Sequence, residues 1–219
     1  MGKASIIRLR TSEPAVVSAD PARARARRAT YADVHGRHVE AVKRYTGTAM
    51  LLHWLAALLV FCGLGLGLYM TGLAFSPAKL RYYAWHKWIG ITVFVVAAAR
   101  LAWRSAHPPA DLPPMPAWQR RAARFTHGAL YALILAIPLS GWLYSSASGV
   151  QVVYLGWVAL PDLVAKDKAL DGVLQFVHQT LNTALATLVV VHVAATLKHQ
   201  FADRDGLMAR MLPGKAATR

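Results

Sequence analysis

Long apolar stretches without charge dominate the chain beyond its N-terminal region. Residues 46–70 contain no Asp, Glu, Lys or Arg, and a helix needs roughly 20 apolar residues to cross a hydrocarbon core of about 30 Å. Three further stretches are apolar except near their ends, at about residues 82–103, 125–144 and 173–197. The pattern predicts an all-α membrane protein, a bundle of four transmembrane helices.

Charge is concentrated outside these stretches, and its distribution predicts their orientation. The chain is 56% hydrophobic and 16% charged, yet its formal net charge is +15. Residues 1–44, the connection 100–124 and the segment from Lys198 onward carry 20 of the 25 Lys and Arg residues. Because cytoplasmic loops of membrane proteins are enriched in Lys and Arg, we expect both termini in the cytoplasm.

The N-terminal region differs in composition from the rest of the chain. It contains the basic run "PARARARR" and no long apolar run, which is typical of a solvated, disordered tail. We therefore predict a basic cytoplasmic tail at 1–43, a transmembrane domain at 44–214 and a short cytoplasmic tail at 215–219. No nucleic-acid partner is expected. The longest external connection, 145–172, contains the aromatic residues Tyr154 and Trp157, which suit a membrane interface, and we expect it to lie there as a lid.

Histidines inside the apolar stretches are the candidate chemistry. The chain has nine histidines, and ionisable groups at membrane depth are costly unless a partner or ligand compensates them. His53 and His192 lie near the predicted cytoplasmic ends of the first and fourth spans, whereas His86 and His178 lie near the outer ends of the second and fourth. The topology therefore permits two pairs, His53 with His192 and His86 with His178.

The spacing within the fourth span supports this pairing. Fourteen residues separate His178 from His192, which corresponds to about 1400° of helical rotation, about 40° short of four turns, and a rise of about 21 Å. The two side chains therefore share one helix face, with one near each surface of the membrane.

Two imidazoles from facing helices suit haem better than zinc. Zinc usually takes three or four protein ligands, whereas haem needs only two axial ligands from the protein. The single cysteine, Cys62, excludes a disulfide within the chain, a C-x-x-C-H haem attachment and a four-cysteine iron–sulfur cluster. The histidine pattern predicts two non-covalent b-type haems, each with two histidine ligands.

The sequence also resembles the bacterial cytochrome b561 family over residues 44–214. The resemblance lies in an unbroken series of segments, "MLLHWLAALLV", "FSPAKLRYYAWHKWIGI", "THGALYALILAIPLSGW", "LPDLVAKDKAL" and "LKHQFADRDGLMARMLPG". It implies a four-helix, two-haem cytochrome of the bacterial inner membrane that exchanges electrons with a quinone such as ubiquinone. Some family members are superoxide oxidases, which pass electrons from external superoxide to ubiquinone. The positions that match the family ligands are His53, His86, His178 and His192.

Further residues have candidate roles around these ligands. A fifth ligand would be unpaired, so we interpret His127 as a residue that supports a ligand or contacts quinone. His199 would lie about 31 Å from His178 along the helix, at the headgroups, and is a weaker candidate ligand. Cations bind haem propionates, and an external basic patch would steer an anion such as superoxide. The candidates for these contacts are Lys79, Arg81 and Lys87 outside and Arg100 inside.

Small residues and a proline suggest special packing in two of the spans. Gly63 and Gly67 form a G-x-x-x-G pattern in the first span, which allows either close helix packing or close approach of a porphyrin. Pro138 and Gly141 are expected to kink or loosen the third span, which carries no predicted ligand.

Two other functions remain open from the residues alone. The protein could be a membrane-anchor cytochrome subunit that passes electrons between a soluble periplasmic oxidoreductase and quinone, rather than an oxidoreductase in its own right. It could also be an ion transporter with a histidine relay. The predicted spans contain no Asp or Glu, which disfavours the transporter.

Overall fold

Four long helices form the chain's framework. The computed structural model describes residues 44–108 and 115–212. The helices are α1 (Gly47–Thr71), α2 (Pro77–Ala106), α3 (Ala117–Ala147) and α4 (Lys168–Lys198), and each is long and apolar enough to cross a membrane. The predicted four-helix membrane fold is therefore confirmed. The predictions made for the tail 1–43, including His35 and His38, lie outside the described residues, as does the segment 213–219.

Three of the helices extend well beyond the predicted spans. Helix α3, for example, begins at Ala117 rather than near residue 125. Its first turns contain Gln119 and three arginines, Arg120, Arg121 and Arg124. These residues are good helix formers, and their long side chains can keep their charges in water at the interface. The apolar pattern marks the part of a helix that lies in hydrocarbon, whereas the helix itself continues into the headgroup region.

Side-chain caps fix the start of three helices. The Oγ1 atom of Thr46 accepts a hydrogen bond from the Ala49 amide at 3.2 Å, and the Oγ atom of Ser76 accepts one from Lys79 at 3.2 Å. The carboxylate of Asp167 accepts hydrogen bonds from the amides of Ala169 and Leu170. These oxygens satisfy amide groups that the first turn of a helix leaves without partners.

Successive helices are neighbours in the bundle. Helix α1 packs closely on α2, α2 on α3, and α3 on α4, while α4 packs closely on neither α1 nor α2. A layer of buried aliphatic side chains lies at mid-height and draws on every helix: Val60, Val93, Leu130, Ile137 and Leu185. We call this set the aliphatic layer. Large apolar side chains such as Leu68, 80% exposed, cover the outside of the bundle, as expected for helices that face lipid.

The connection between α3 and α4 folds into a short β-hairpin. Strand β1 (Val153–Tyr154) pairs antiparallel with β2 (Val158–Ala159), and Tyr154 lies opposite Val158. Three residues, 155–157, connect the strands. The first two, Leu155 and Gly156, have positive φ, 54° and 79°, and the Trp157 amide donates to the Tyr154 carbonyl at 3.1 Å. The hairpin is fastened to α2: the Trp88 indole donates to the Val153 carbonyl at 2.7 Å, and the Tyr154 hydroxyl bonds to Thr92.

The described C-terminal segment folds back onto the beginning of α1. A π-helical turn (His199–Asp203) continues α4, and a 3₁₀ turn follows at Met208–Arg210. The indole of Trp54 donates to the Met211 carbonyl at 2.8 Å, and the Tyr45 amide donates to the Arg210 carbonyl at 3.3 Å. This end of the bundle, where α1 begins and α4 ends, is called the terminal end below. The opposite end, with the hairpin, is the loop end.

The aliphatic layer generates a stability prediction. Leu185→Ala removes a side chain that is 4% exposed, and we expect a loss of about 1–3 kcal/mol. This loss comes from the cavity that the substitution leaves, because moving the leucine side chain from lipid to the bundle interior contributes little free energy. Thermal unfolding in detergent measures the change. Leu68→Ala on the outside of α1 is the control and should unfold within about a degree of the unmodified protein; equal losses in both variants would contradict this placement of the core.

Candidate functional site

Four of the predicted histidines meet in two pairs inside the bundle. At the terminal end, the imidazole of His53 on α1 faces that of His192 on α4, with ring centroids 6.4 Å apart. At the loop end, His86 on α2 faces His178 on α4, with centroids 6.3 Å apart and ring planes at 89°. These sets are called the terminal pair and the loop pair. Both bridge helices that do not pack closely on each other.

The separation within each pair suits two ligands of one metal ion. An imidazole nitrogen binds a transition metal at about 2.0 Å and lies about 1.1 Å from its ring centre, so two imidazoles on opposite sides of an ion have centres about 6.2 Å apart. The terminal and loop pairs, at 6.4 and 6.3 Å, match this separation. His127 also approaches His192, but their ring centroids are only 5.3 Å apart, which is too close for two ligands on opposite sides of one ion.

The ring nitrogens show that these imidazoles need a further partner. The Nδ1 atoms of His53 and His86 are buried and have no hydrogen-bond partner in the part of the chain that the structure describes. A buried polar atom without a partner costs about 1–3 kcal/mol. Each pair contains one such nitrogen, which indicates that a bound group belongs to the site.

The imidazole of His178 differs because it contacts a buried hydroxyl on α3. The Oγ atom of Ser140 lies 2.9 Å from Nδ1 of His178 and also donates to the Ile137 carbonyl at 2.8 Å. Ser140 was not predicted from the sequence. A serine in an apolar helix usually bonds to its own backbone, and only the packing of α3 on α4 brings this one to the histidine.

Two glycines allow the loop pair to pack against neighbouring backbone. A Cβ atom added at Gly67 would lie 3.2 Å from Cε1 of His86, and one at Gly141 would lie 2.9 Å from Cε1 of His178. A Cβ atom is essentially never found as close as the second distance. Of the two roles suggested for Gly67, the structure supports close packing, but on an imidazole of α2. Helix α3 runs through Pro138 without interruption.

A cavity of about 680 Å³ surrounds the loop pair. Its walls are mostly apolar and come from all four helices, and the segment that leads into the hairpin lines part of it through Val150, Val152 and Val153. The first part of the connection 145–172 therefore lines this cavity, while its position along the membrane surface as a lid stays a prediction. A large apolar cavity with a few convergent polar groups is typical of a cofactor site.

Basic side chains lie at the rim of this cavity. Lys79 and Lys87 both line it; the Lys79 ammonium donates to the Leu73 carbonyl at 2.6 Å and that of Lys87 to the Val150 carbonyl at 3.3 Å. Arg81 is exposed and lines no part of this cavity. Of the three basic residues predicted for this region, the structure therefore places two beside the loop pair.

A second group of basic and aromatic side chains lies beside the terminal pair. The guanidinium groups of Arg100 and Arg104 lie over the ring of Tyr131, 5.0 and 5.6 Å from its centroid. Arg100 is also close enough to His53 and His192 to interact with them electrostatically. His127 is exposed on the outside of the bundle.

The remaining described histidines lie away from the pairs. Nδ1 of His199 lies 2.6 Å from a carboxylate oxygen of Asp205 and 3.1 Å from one of Asp203, and Lys198 bonds to Asp203 as well. His107 is exposed and stacks on Trp103. The structure thus separates both from the four paired imidazoles.

These features define a four-helix membrane protein whose paired histidines fit haem. Haem completes a six-coordinate iron site with two protein ligands, and the apolar cavity at the loop pair suits a porphyrin. The prokaryotic cytochrome b561 family model matches residues 44–214. The chain belongs to this family of membrane electron-transfer proteins, whose members bind b-type haem.

The similarity to individual proteins agrees with this family assignment. The chain is 35% identical to cytochrome b561 homolog 2 of Escherichia coli K12 over 184 residues, which cover 80% of this chain and 94% of the relative. It is 30% identical to cytochrome b561 homolog 1 of the same organism over 177 residues, 78% and 98% of the two chains. It is 25% identical to the "Probable superoxide oxidase CybB" of Yersinia pestis over 184 residues, 79% and 98% of the two chains.

Proposed function

We propose that the protein carries electrons across the bacterial inner membrane through two b-type haems. His53 and His192 hold one haem near the cytoplasmic face, and His86 and His178 hold the other near the outer face. The observation that carries the proposal is the separation of 6.4 and 6.3 Å within the two pairs. The excess of Lys and Arg in the segments at the terminal end supports the orientation, with that end in the cytoplasm.

The chain contributes ligands, spacing and a dry interior. Haem, when bound, accepts and releases single electrons. The 14 residues between His178 and His192 set the separation of the two sites at about 21 Å along α4. The aliphatic layer lies between the pairs, seven residues from both histidines at Leu185. Its side chains exclude water and fixed charge from the path, which limits the reorganisation of polar groups when charge moves.

Ubiquinone is the proposed redox partner, at the cytoplasmic end. A quinone head group offers two carbonyl acceptors, and His127 and Arg100 offer N–H donors beside the terminal pair. The exposure of His127 toward the surroundings of the bundle would let a lipid-soluble quinone reach it from the membrane. Its ring contact with His192 brings the donor next to a proposed haem ligand.

Superoxide is the proposed electron donor at the outer end. Two superoxide anions each give up one electron and leave as dioxygen, and the two electrons with two protons convert a quinone to a quinol. Lys79 and Lys87 at the cavity rim would attract the anion toward the loop pair. The relative named as a probable superoxide oxidase supports this choice. The protein would then be a superoxide:quinone oxidoreductase.

Replacement of one ligand tests the pairing. His192→Ala should lose one of two haems, since only the terminal pair loses a ligand, while the spectrum of the other haem persists. Haem per polypeptide and reduced-minus-oxidised visible spectra of the purified protein measure this. His199→Ala, seven residues further along, is the control and should keep both haems. Loss of neither haem in His192→Ala, or a colourless unmodified protein, would contradict the proposal.

The close contact at Gly141 gives a second test. Gly141→Ala places a methyl group 2.9 Å from the His178 ring and should displace it, so we expect haem content to fall toward one per polypeptide. Gly65→Ala is the control, because a Cβ atom there meets nothing within 4 Å. Retention of two haems with an unchanged spectrum in Gly141→Ala would show that His178 need not occupy this position.

Electrostatic steering predicts a salt-dependent effect at Lys87. Lys87→Gln should slow haem reduction by superoxide about two- to threefold at low ionic strength, with the difference fading as salt is added. Stopped-flow absorbance of the haem measures the rate. Lys168→Gln removes an exposed positive charge at the same end of the bundle but outside the cavity, and should have a smaller effect. Equal rates for Lys87→Gln and the unmodified protein at low salt would argue against steering by this residue.

A further inference from the structure

The hydrogen bonds of Ser140 determine which nitrogen of His178 carries a proton. The Ser140 hydroxyl has a single proton, and it lies 2.8 Å from the Ile137 carbonyl, which can only accept. The hydroxyl therefore donates its proton to a carbonyl of its own helix, α3. The same Oγ atom lies 2.9 Å from Nδ1 of His178, and with its proton directed at the carbonyl it is placed to accept from that nitrogen. This arrangement assigns the proton of the neutral His178 ring to Nδ1, which donates it to Ser140.

This assignment leaves the other ring nitrogen free to bind metal. A neutral imidazole has one protonated nitrogen and one lone pair, and iron binds the lone pair. With Nδ1 fixed as the donor, Nε2 of His178 is the ligand atom. Ser140 is 6% exposed, so water competes little for this hydrogen bond, and a donor polarised in this way makes the imidazole a more basic ligand.

The same contacts fix the plane of the ring. The Gly141 backbone lies against one edge of the imidazole, whose Cε1 atom is 2.9 Å from where a Cβ atom on Gly141 would stand. The Ser140 hydroxyl contacts Nδ1 of the same ring. The result is a ring plane at 89° to that of His86. Neither ring of the terminal pair makes a comparable side-chain hydrogen bond among the described residues, so this arrangement distinguishes the two ends.

We propose that Ser140 is a positioning residue for the loop-pair haem, which selects the Nδ1–H form of His178, fixes its ring plane and lowers the reduction potential of the bound haem. The inference rests on the proposed function, since it assumes a haem at that pair. Its direction follows from ligand basicity: an electron-rich imidazole stabilises ferric iron more than ferrous iron. A lower potential at the outer haem favours electron flow inward to the other.

Redox titration of the purified two-haem protein tests the proposal. In Ser140→Ala the outer haem should become easier to reduce by about fivefold in its equilibrium constant, which is about 40 mV for a one-electron couple at 59 mV per tenfold. The inner haem should not change. The ferric EPR spectrum should also shift for one haem only, because its g values depend on the angle between the axial ring planes. Ser146→Ala, a buried α3 serine that does not line this cavity and donates to the Trp142 carbonyl at 3.1 Å, is the matched control and should leave both potentials unchanged.

Two further variants keep the test decisive. Ser140→Thr retains the hydroxyl and should restore the unmodified potential. If Ser140→Ala fails to bind the outer haem, Ser140→Cys carries the test, because its thiol has a similar shape but is a weak acceptor, and it too should raise the potential. If the unmodified protein binds two haems and Ser140→Ala or Ser140→Cys has the same two potentials, the role of Ser140 is overturned but the proposed function is not. An unmodified protein without a haem at the loop pair would instead overturn the proposed function.

Discussion

An imidazole buried at membrane depth must find a partner, and α4 carries two of them on one face, 14 residues apart. Everything else in the bundle follows from compensating these two groups. Helices α1 and α2 each bring one histidine to meet them, and both lie apart from α4 at the backbone level. The separation that prevents close helix packing is what leaves room for a flat cofactor. The aliphatic layer then closes the space between the two levels.

Helix α3 contributes no paired histidine, yet it controls the geometry of one. It packs closely on both α2 and α4, and its residues Ser140 and Gly141 contact His178 from the side. A hydroxyl and a missing side chain are the smallest means of orienting a ring in an apolar interior. Helices α1, α2 and α4 supply the paired histidines, and α3 supplies a rigid surface against which one of them is held.

The paired histidines were predictable from sequence because membrane thickness and helical rise convert residue number into depth. That argument also placed Lys87 near the loop pair, and Arg100 near the terminal pair. It could not find Ser140, whose contact with His178 spans 38 residues and depends on how α3 rotates against α4. Nor could it separate Lys79 from Arg81: both lie at the start of α2, and only their direction around the helix decides that Lys79 lines the cavity. The depth of a residue in the membrane can be counted along its own helix, whereas the rotation of that helix about its axis depends on packing against other helices.

The two ends of the bundle differ in ways that suit the proposed transfer of electrons in one direction. At the loop end, the cavity is lined by lysines and, in part, by the segment that leads into the hairpin. At the terminal end, the C-terminal segment bonds to Tyr45 and Trp54 across the start of α1, while His127 stays exposed at the side. A small anion would enter from the end of the bundle, and a lipid-soluble molecule from its flank. The same asymmetry appears at the paired histidines, since among the described residues only His178 bonds to a buried hydroxyl. In the proposed function, access and ligand basicity would both favour electrons that enter at the loop end and leave at the other.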